Sequence, residues 1–214
     1  MSQSVSPIML GAAPPPATRR RSAEDTRTLL LRAAARLFAR KGVAGITLSE
    51  IAGAVGLSGP AIYNHFPSKD ALFIAVVQQM YDEEALAFER VLEPLDSVAE
   101  GLAVLLELVP TLYREDGTLQ LLGLTAQLEA ARNPEVYKVL VGASQRRDQV
   151  AINLVSRAIQ IGELPSDVDA AEVGSMLLAL FYGGLGYRSL LAHTPAQFHG
   201  SVQALRCLLK VTVE

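Results

Sequence analysis

The stretch Thr47–Phe66, TLSEIAGAVGLSGPAIYNHF, decides how this chain folds. Thr47 followed three residues later by Glu50 forms a capping box, which predicts a helix with Leu48, Ile51, Ala52 and Val55 on its inner face. Gly56 suits the positive φ that stops such a helix within one residue. Ser58 is placed to cap the next helix, and Pro60 falls in its first turn, where a missing N–H costs nothing. Ile62 and Phe66, four residues apart, would pack that short helix back on its predecessors. With small Ala52 at the crossing and Leu57 in the turn, the segment reads as a helix-turn-helix whose second helix suits a DNA major groove. A plain three-helix bundle uses the same glycine turns and caps, so patterning alone leaves both readings open.

Working outward, Leu30, Ala33, Ala34, Leu37 and Phe38 recur at helical spacing, with Arg32, Arg36 and Arg40 on another face and Gly42 as the terminating residue. Order is expected to begin near Ser22. Residues 1–21 hold Pro7, Pro14, Pro15 and Pro16 and end in Arg19, Arg20 and Arg21, so they read as a flexible basic arm. Downstream, Pro67 and Ser68 reset the chain before a helix from Lys69 into the Glu83–Glu84 region. Beyond residue 94 the apolar stretches carry only helical signals, with helices expected near 96–114, 118–132, 135–162, 168–192 and 196–212. The fold class is all-α. The expected organisation is an arm over 1–21, a helix-turn-helix DNA-binding domain over 22–70, and a ligand-binding and dimerisation domain over 71–214.

Charge divides the 214 residues unevenly. Residues 1–75 carry nine Lys or Arg against four Asp or Glu, whereas residues 76–214 carry ten against eighteen, within a net charge of −3. A basic front joined to an acidic back suggests two tasks on one chain. The single cysteine, Cys207, excludes an intramolecular disulfide framework and any multi-cysteine zinc site, consistent with a reducing, cytoplasmic setting. No secretory signal is readable, Glu24 and Asp25 interrupt a transit-peptide reading of the arginine-rich segment, and the longest apolar run, Met176–Tyr187, is too short for a spanning helix.

The segment from Thr26 to Ala75 resembles the DNA-binding domain of the tetracycline-repressor-like (TetR) family of bacterial transcription factors. The resemblance rests on RAAARLFARKGVAGITLSEIAGAVGLSGPAIYNHFPSKDALF as a connected whole. Phe38, Lys41 and Gly42 end the first helix, Thr47, Ile51 and Ala52 lie in the second, and Tyr63, His65 and Phe66 precede Ser68, Lys69 and Leu72 at the family's spacing. The resemblance implies a homodimer of about nine helices that holds a palindromic DNA operator through its N-terminal domains. The resemblance further implies that a small molecule bound in the C-terminal domain changes the separation of the recognition helices and releases the operator. It also implies phosphate contacts from Thr47, Tyr63, His65 and Lys69, each a suitable donor. Packing of the small domain is the bland reading of Tyr63 and His65.

The positions facing base edges would be Ser58, Gly59, Pro60, Ala61 and Asn64. They include no Arg or Gln, so Asn64 alone offers a bidentate adenine contact, while Pro60 and Ala61 suit thymine methyls. Arg19, Arg20 and Arg21 are then expected to supplement this short helix in a minor groove, or to add only salt-sensitive affinity. In the acidic half, the Val173–Leu191 stretch is apolar around much of its circumference. Its small residues Gly174, Ala179, Gly183 and Gly186 suit a dimer interface built with residues 196–212, the alternative being intrachain core. A pocket for a small hydrophobic molecule is expected among helices 96–162, with Leu105, Leu108, Leu122, Leu124, Gln127, Tyr137 and Asn153 marking the region.

An enzyme is the rival from another class. GxSxG, HExxH, P-loop, GxGxxG and SxxK patterns do not occur in a supporting context, and His193 and His199 lie six apart across Pro195 without carboxylate support. No catalytic residue, metal or cofactor is therefore expected. A helical protein–protein adaptor remains as the other alternative, separated from a repressor by salt-dependent DNA binding.

Overall fold

The computed structural model describes residues 23–112, 117–179 and 181–182. All regular structure among them is helical: α1 (Ala23–Lys41), α2 (Leu48–Ala54), a short 3-10 helix (Gly59–Asn64), α3 (Lys69–Leu92), α4 (Val98–Leu112), α5 (Thr118–Ala130), α6 (Pro134–Gln160) and α7 (Ala170–Ala179). The expected all-α class is what the chain adopts. The helix after Pro67 extends to Leu92 instead of stopping near Glu84, because Ala85, Phe88 and Leu92 continue its buried face. The segment expected over 168–192 is helical through Ala179 and reaches a π-helical turn at Phe181–Tyr182. The helix expected over 196–212 lies outside the described residues.

The chain divides into two compact units. Among the described residues, one comprises those up to Glu83 with Thr118–Val141, and the other those from Glu84 to Gly117 and from Gly142 onward. In the first unit, Leu30, Ala34 and Phe38 of α1 are completely buried, as are Ile51 and Ala52 of α2, Ile62 of the 3-10 helix and Leu72 of α3. Phe38 meets Phe73 edge-to-face, with ring centroids 5.1 Å apart. Helix α5 packs on α1 while burying Thr118, Leu122 and Ala126, a four-residue spacing that places one face inward.

The helix starts are closed by side chains. Thr47 Oγ1 accepts the Glu50 N–H at 3.2 Å, and Glu50 Oε2 accepts the Thr47 backbone N–H at 2.8 Å, so the expected capping box is complete. Lys41 Nζ reaches Glu50 Oε1 at 3.3 Å. The Thr47 hydroxyl, then its backbone N–H and then Lys41, hold the Glu50 carboxyl below the ordinary glutamate range. At the far end of α2, Gly56 takes φ +76° and the Leu57 N–H donates to Ala52 O at 2.9 Å, closing the turn as expected. Ser58 departs from expectation: its side chain makes no cap hydrogen bond, and the segment it precedes is a 3-10 helix. The tighter form fits a six-residue element with Pro60 at its start, too short to sustain the α-helical ladder.

In the second unit, two residues from the end of α6 and just beyond hold the corner between α3 and α4. Arg157 donates from Nη2 to Leu92 O at 2.8 Å and from Nε to Leu95 O at 2.7 Å, satisfying carbonyls where α3 ends. Glu163 accepts the Val98 and Ala99 N–H groups at 2.9 and 3.0 Å, closing the start of α4. Each charge has the sign that its helix dipole favours. Helix α4 approaches α6 at Gly101, where an added Cβ would lie 2.5 Å from Leu154 Cδ2.

Two predictions follow from these helix ends. In urea unfolding, Glu163→Ala is expected to destabilise the chain by about 1 kcal/mol, and Arg157→Leu, which removes the side-chain donors to the part-buried Leu92 and Leu95 carbonyls, by about 1–3 kcal/mol. Unchanged midpoints for both would show that the corner does not depend on them. Because the folded pKa of Glu50 is depressed, its contribution is present above the unfolded pKa and lost as pH falls through the folded one. A carbon-detected NMR titration should find the Glu50 midpoint below that of an ordinary glutamate, and Thr47→Val should move it upward.

Candidate nucleic-acid interface

The 3-10 helix Gly59–Asn64 is anchored from one side and open on the other. Ile62 is completely buried and Phe66 is nearly so, while Ser58, Pro60, Tyr63 and Asn64 are exposed, Tyr63 to 58%. The anchor is reinforced by Arg27 of α1, whose guanidinium carbon stands 4.9 Å from the Phe66 ring centroid. Ala61 and His65 are half-buried, and the His65 backbone N–H donates to Ile62 O at 2.9 Å.

Gly59 has a different surrounding from the one expected of a base-facing residue. A Cβ at this position would lie 2.8 Å from Ser49 Oγ, so the Cβ direction of Gly59 points at α2. Its missing side chain lets the second helix of the motif cross the first closely. Ser49, exposed beside it, belongs to the same patch and was not singled out by spacing.

Thr47 is exposed, but in this structure its hydroxyl and backbone N–H both donate to Glu50 Oε2 at 2.8 Å. The expected phosphate contact from these two donors therefore competes with the helix's own cap. Lys69 is half-buried and donates from Nζ to Ile46 O at 3.2 Å, which brings its ammonium beside the residue preceding Thr47. Arg19, Arg20 and Arg21 lie outside the described residues. The patch thus joins Thr47, Ser49 and Lys69 to the exposed part of the 3-10 helix, with Lys41 beside Glu50 at its edge. Ser49 and Arg27 join through tertiary proximity, for which no linear motif gives a signal.

The residues expected to mark a ligand region differ in exposure. Leu105 is buried in the second unit, and Leu122 is buried in the first, on the stripe that α5 buries. Leu124, Gln127 and Tyr137 are exposed, Asn153 is exposed and accepts from Gln149 at 2.9 Å, and the Leu108 side chain lies outside the described residues. Of the small residues expected at a dimer interface, Gly174 serves the chain itself. A Cβ there would lie 3.2 Å from Ile152 N, so α7 approaches the α6 backbone at this glycine. Ala179 is exposed, whereas Gly183 and Gly186 lie outside the described residues. Among the described residues no group of three or more His, Cys, Asp or Glu side chains is placed to hold a metal ion, and no helix is long and apolar enough to cross a membrane.

Comparison with known proteins agrees with this geometry. Residues 30–76 match the family model of bacterial regulatory proteins, tetR family. The HTH-type transcriptional regulator UidR of Escherichia coli (strain K12) is 28% identical over 187 residues, covering 87% of this chain and 92% of its own. The HTH-type transcriptional repressor BepR of Brucella suis is 29% identical, covering 76% of this chain and 80% of its own. A transcriptional regulator from Saccharomonospora viridis, solved in complex with choline, superposes with a TM-score of 0.74 at 25% identity, covering 87% of this chain and 96% of that one. With the helix-turn-helix and its exposed second element, residues 30–76 carry the DNA-binding pattern of the tetR family, and the chain is similar along most of its length to HTH-type transcriptional regulators.

Proposed function

We propose that the chain is a cytoplasmic, ligand-responsive repressor that binds a palindromic operator as a homodimer and is released by a small, largely hydrophobic molecule. In this reading residues 1–21 are a basic arm, 22–70 the DNA-binding domain and 71–214 the ligand-binding and dimerisation domain. It acts by binding and carries no catalytic role. The observation that carries the reading is the one-sided 3-10 helix, buried through Ile62 and Phe66 and open through Ser58, Pro60, Tyr63 and Asn64.

The basic excess of residues 1–75 supplies the electrostatic complement to a duplex. Tyr63, His65 and Lys69 are assigned to phosphates, and Thr47 joins them by exchanging its bonds to Glu50 for a phosphate oxygen. Asn64 is assigned to base readout, with Ser58, Pro60 and Ala61 beside it. An outward face of α7 that includes Ser175, Met176 and Ala179 supports pairing with a second copy. The repressor BepR and the choline complex of the Saccharomonospora viridis regulator support repression and small-molecule response respectively.

Fluorescence anisotropy on a duplex from upstream of the chain's own gene, against a scrambled duplex across several salt concentrations, tests the reading. A strong preference with a steep salt slope is expected, with half-sites spaced by about 34–36 Å or a multiple of it. Binding that ignores sequence, also in a selection from random duplexes, would favour the adaptor alternative. Lys69→Ala should weaken binding alike on all sequences and make the log–log salt slope shallower by about one unit. Asn64→Ala should instead change base preference, and an unchanged profile would remove its readout role. Deleting residues 1–21 is expected to reduce the preference for operator over random DNA. An unaltered ratio would leave the arm with affinity alone.

A further inference from the structure

In the second unit, side chains from α3, α6 and the turn beyond α7 meet at one point. Arg147 Nη1 donates to Glu84 Oε2 at 2.9 Å, and the two side chains are only 15% and 18% exposed. The Arg147 guanidinium carbon stands 4.7 Å from the centroid of the Tyr182 ring. Phe88 lies nearly parallel to Tyr182 at 6.0 Å, and Phe181 meets Phe88 and Tyr182 edge-on at 5.3 and 5.2 Å. A flat cation therefore rests on an aromatic face with a carboxylate at its edge, an arrangement that recognises organic cations.

Two features separate this cluster from an ordinary surface ion pair. The neighbouring pair Arg146–Glu89 is 44% and 37% exposed, spans 3.5 Å, and has the character of a solvated contact. The Glu84–Arg147 pair is largely removed from water, which costs free energy that a surface pair does not. The backbone also departs from α geometry at Phe181–Tyr182, and the π-helical turn brings consecutive rings onto Phe88. Such turns are rare and recur at functional sites. Burial pushes the Glu84 carboxyl up, against the opposing pull of Arg147 and the Tyr182 hydroxyl.

The charge of the occupant follows from Glu84. An anion drawn to Arg147 would be placed against the Glu84 carboxylate, and like charges in a dry site repel. A neutral apolar molecule inserted between the two would leave both charges desolvated and apart. A cation that replaces the guanidinium keeps Glu84 paired and the Tyr182 face covered.

We propose that Glu84, Phe88, Phe181 and Tyr182 form an effector site for a flat organic monocation of amidinium, guanidinium or aromatic ammonium type, which displaces Arg147 as the resident cation. The site gives a charge and shape to the small molecule of the ligand-responsive reading, on which its regulatory role rests. The ligand's apolar body meets the aromatic rings, and its charged head meets Glu84.

Calorimetric titration of the full chain without DNA, using benzamidinium with benzamide and benzoate as neutral and anionic shape matches, tests the site. Saturable binding of benzamidinium is expected, with benzamide and benzoate at least tenfold weaker. Glu84→Gln and Tyr182→Leu should each weaken benzamidinium at least tenfold, and Arg147→Ala should tighten it at least tenfold by removing the competing side chain. Circular dichroism identifies any variant that does not fold, and the comparison of benzamidinium with benzoate on the unaltered chain decides the charge without a variant. Absent binding to the unaltered chain, equal binding of benzoate, or an unchanged affinity in folded Glu84→Gln would overturn the proposal. Operator release is measured separately: benzamidinium binding with unchanged operator affinity keeps the site and removes its regulatory role.

Discussion

A helical segment of six residues has no stability of its own in water, so the second element of the helix-turn-helix depends on what it buries. Ile62 and Phe66 supply that burial, four residues apart on the inner side of Gly59–Asn64 and the turn after it. Arg27 covers the Phe66 ring from α1, and the absent side chain at Gly59 lets the segment approach Ser49 of α2. The outward residues Ser58, Pro60, Tyr63 and Asn64 are held in position only because these inner contacts are made. The buried and the exposed side are therefore two faces of one short element, and a loss on the inner side is felt on the outer one.

Polar side chains do comparable work wherever a helix begins or ends. Thr47 and Glu50 open α2, Ser68 accepts the Ala71 N–H at the start of α3, and Asn133 and Asp169 accept backbone N–H groups at the starts of α6 and α7. Arg157 and Glu163 extend the same chemistry across the fold, reaching the α3–α4 corner from more than sixty residues away. Opposite charges meet opposite helix ends, so one short stretch of chain satisfies both halves of the corner. The cost of burying charge appears elsewhere, at Glu84 and Arg147, where a paired carboxylate and guanidinium lie largely out of water among aromatic rings.

Much of the DNA-binding half was legible in linear order because its signals are local. A capping box spans three residues, the positive φ of Gly56 belongs to one, and the Ile62–Phe66 pair spans one helical turn. Such features act over distances that the chain itself sets. The same reasoning misjudged the cap expected from Ser58 and gave no sign that Gly59 lies against Ser49, since such contacts are decided by the crossing of two elements. The ligand region was less legible still. Leucines at helical spacing say that a helix has a buried face without saying what covers it, and Leu122 and Leu124, two residues apart, point to opposite fates.

The sequence by itself determined the all-α class, the position of the helix-turn-helix and the division of charge between front and back. These follow from periodicity, capping and composition, which are properties of neighbouring residues. Only the tertiary structure decided that α5 packs on α1, that Arg27 covers Phe66, that Gly174 admits α7 to the α6 backbone, and that Glu84, Arg147 and Tyr182 share a site. Glu84 and Tyr182 stand almost a hundred residues apart in the chain, and no local preference of either residue encodes the other. Their meeting depends on how three helices pack, which is set by the sum of many apolar contacts and not by any motif.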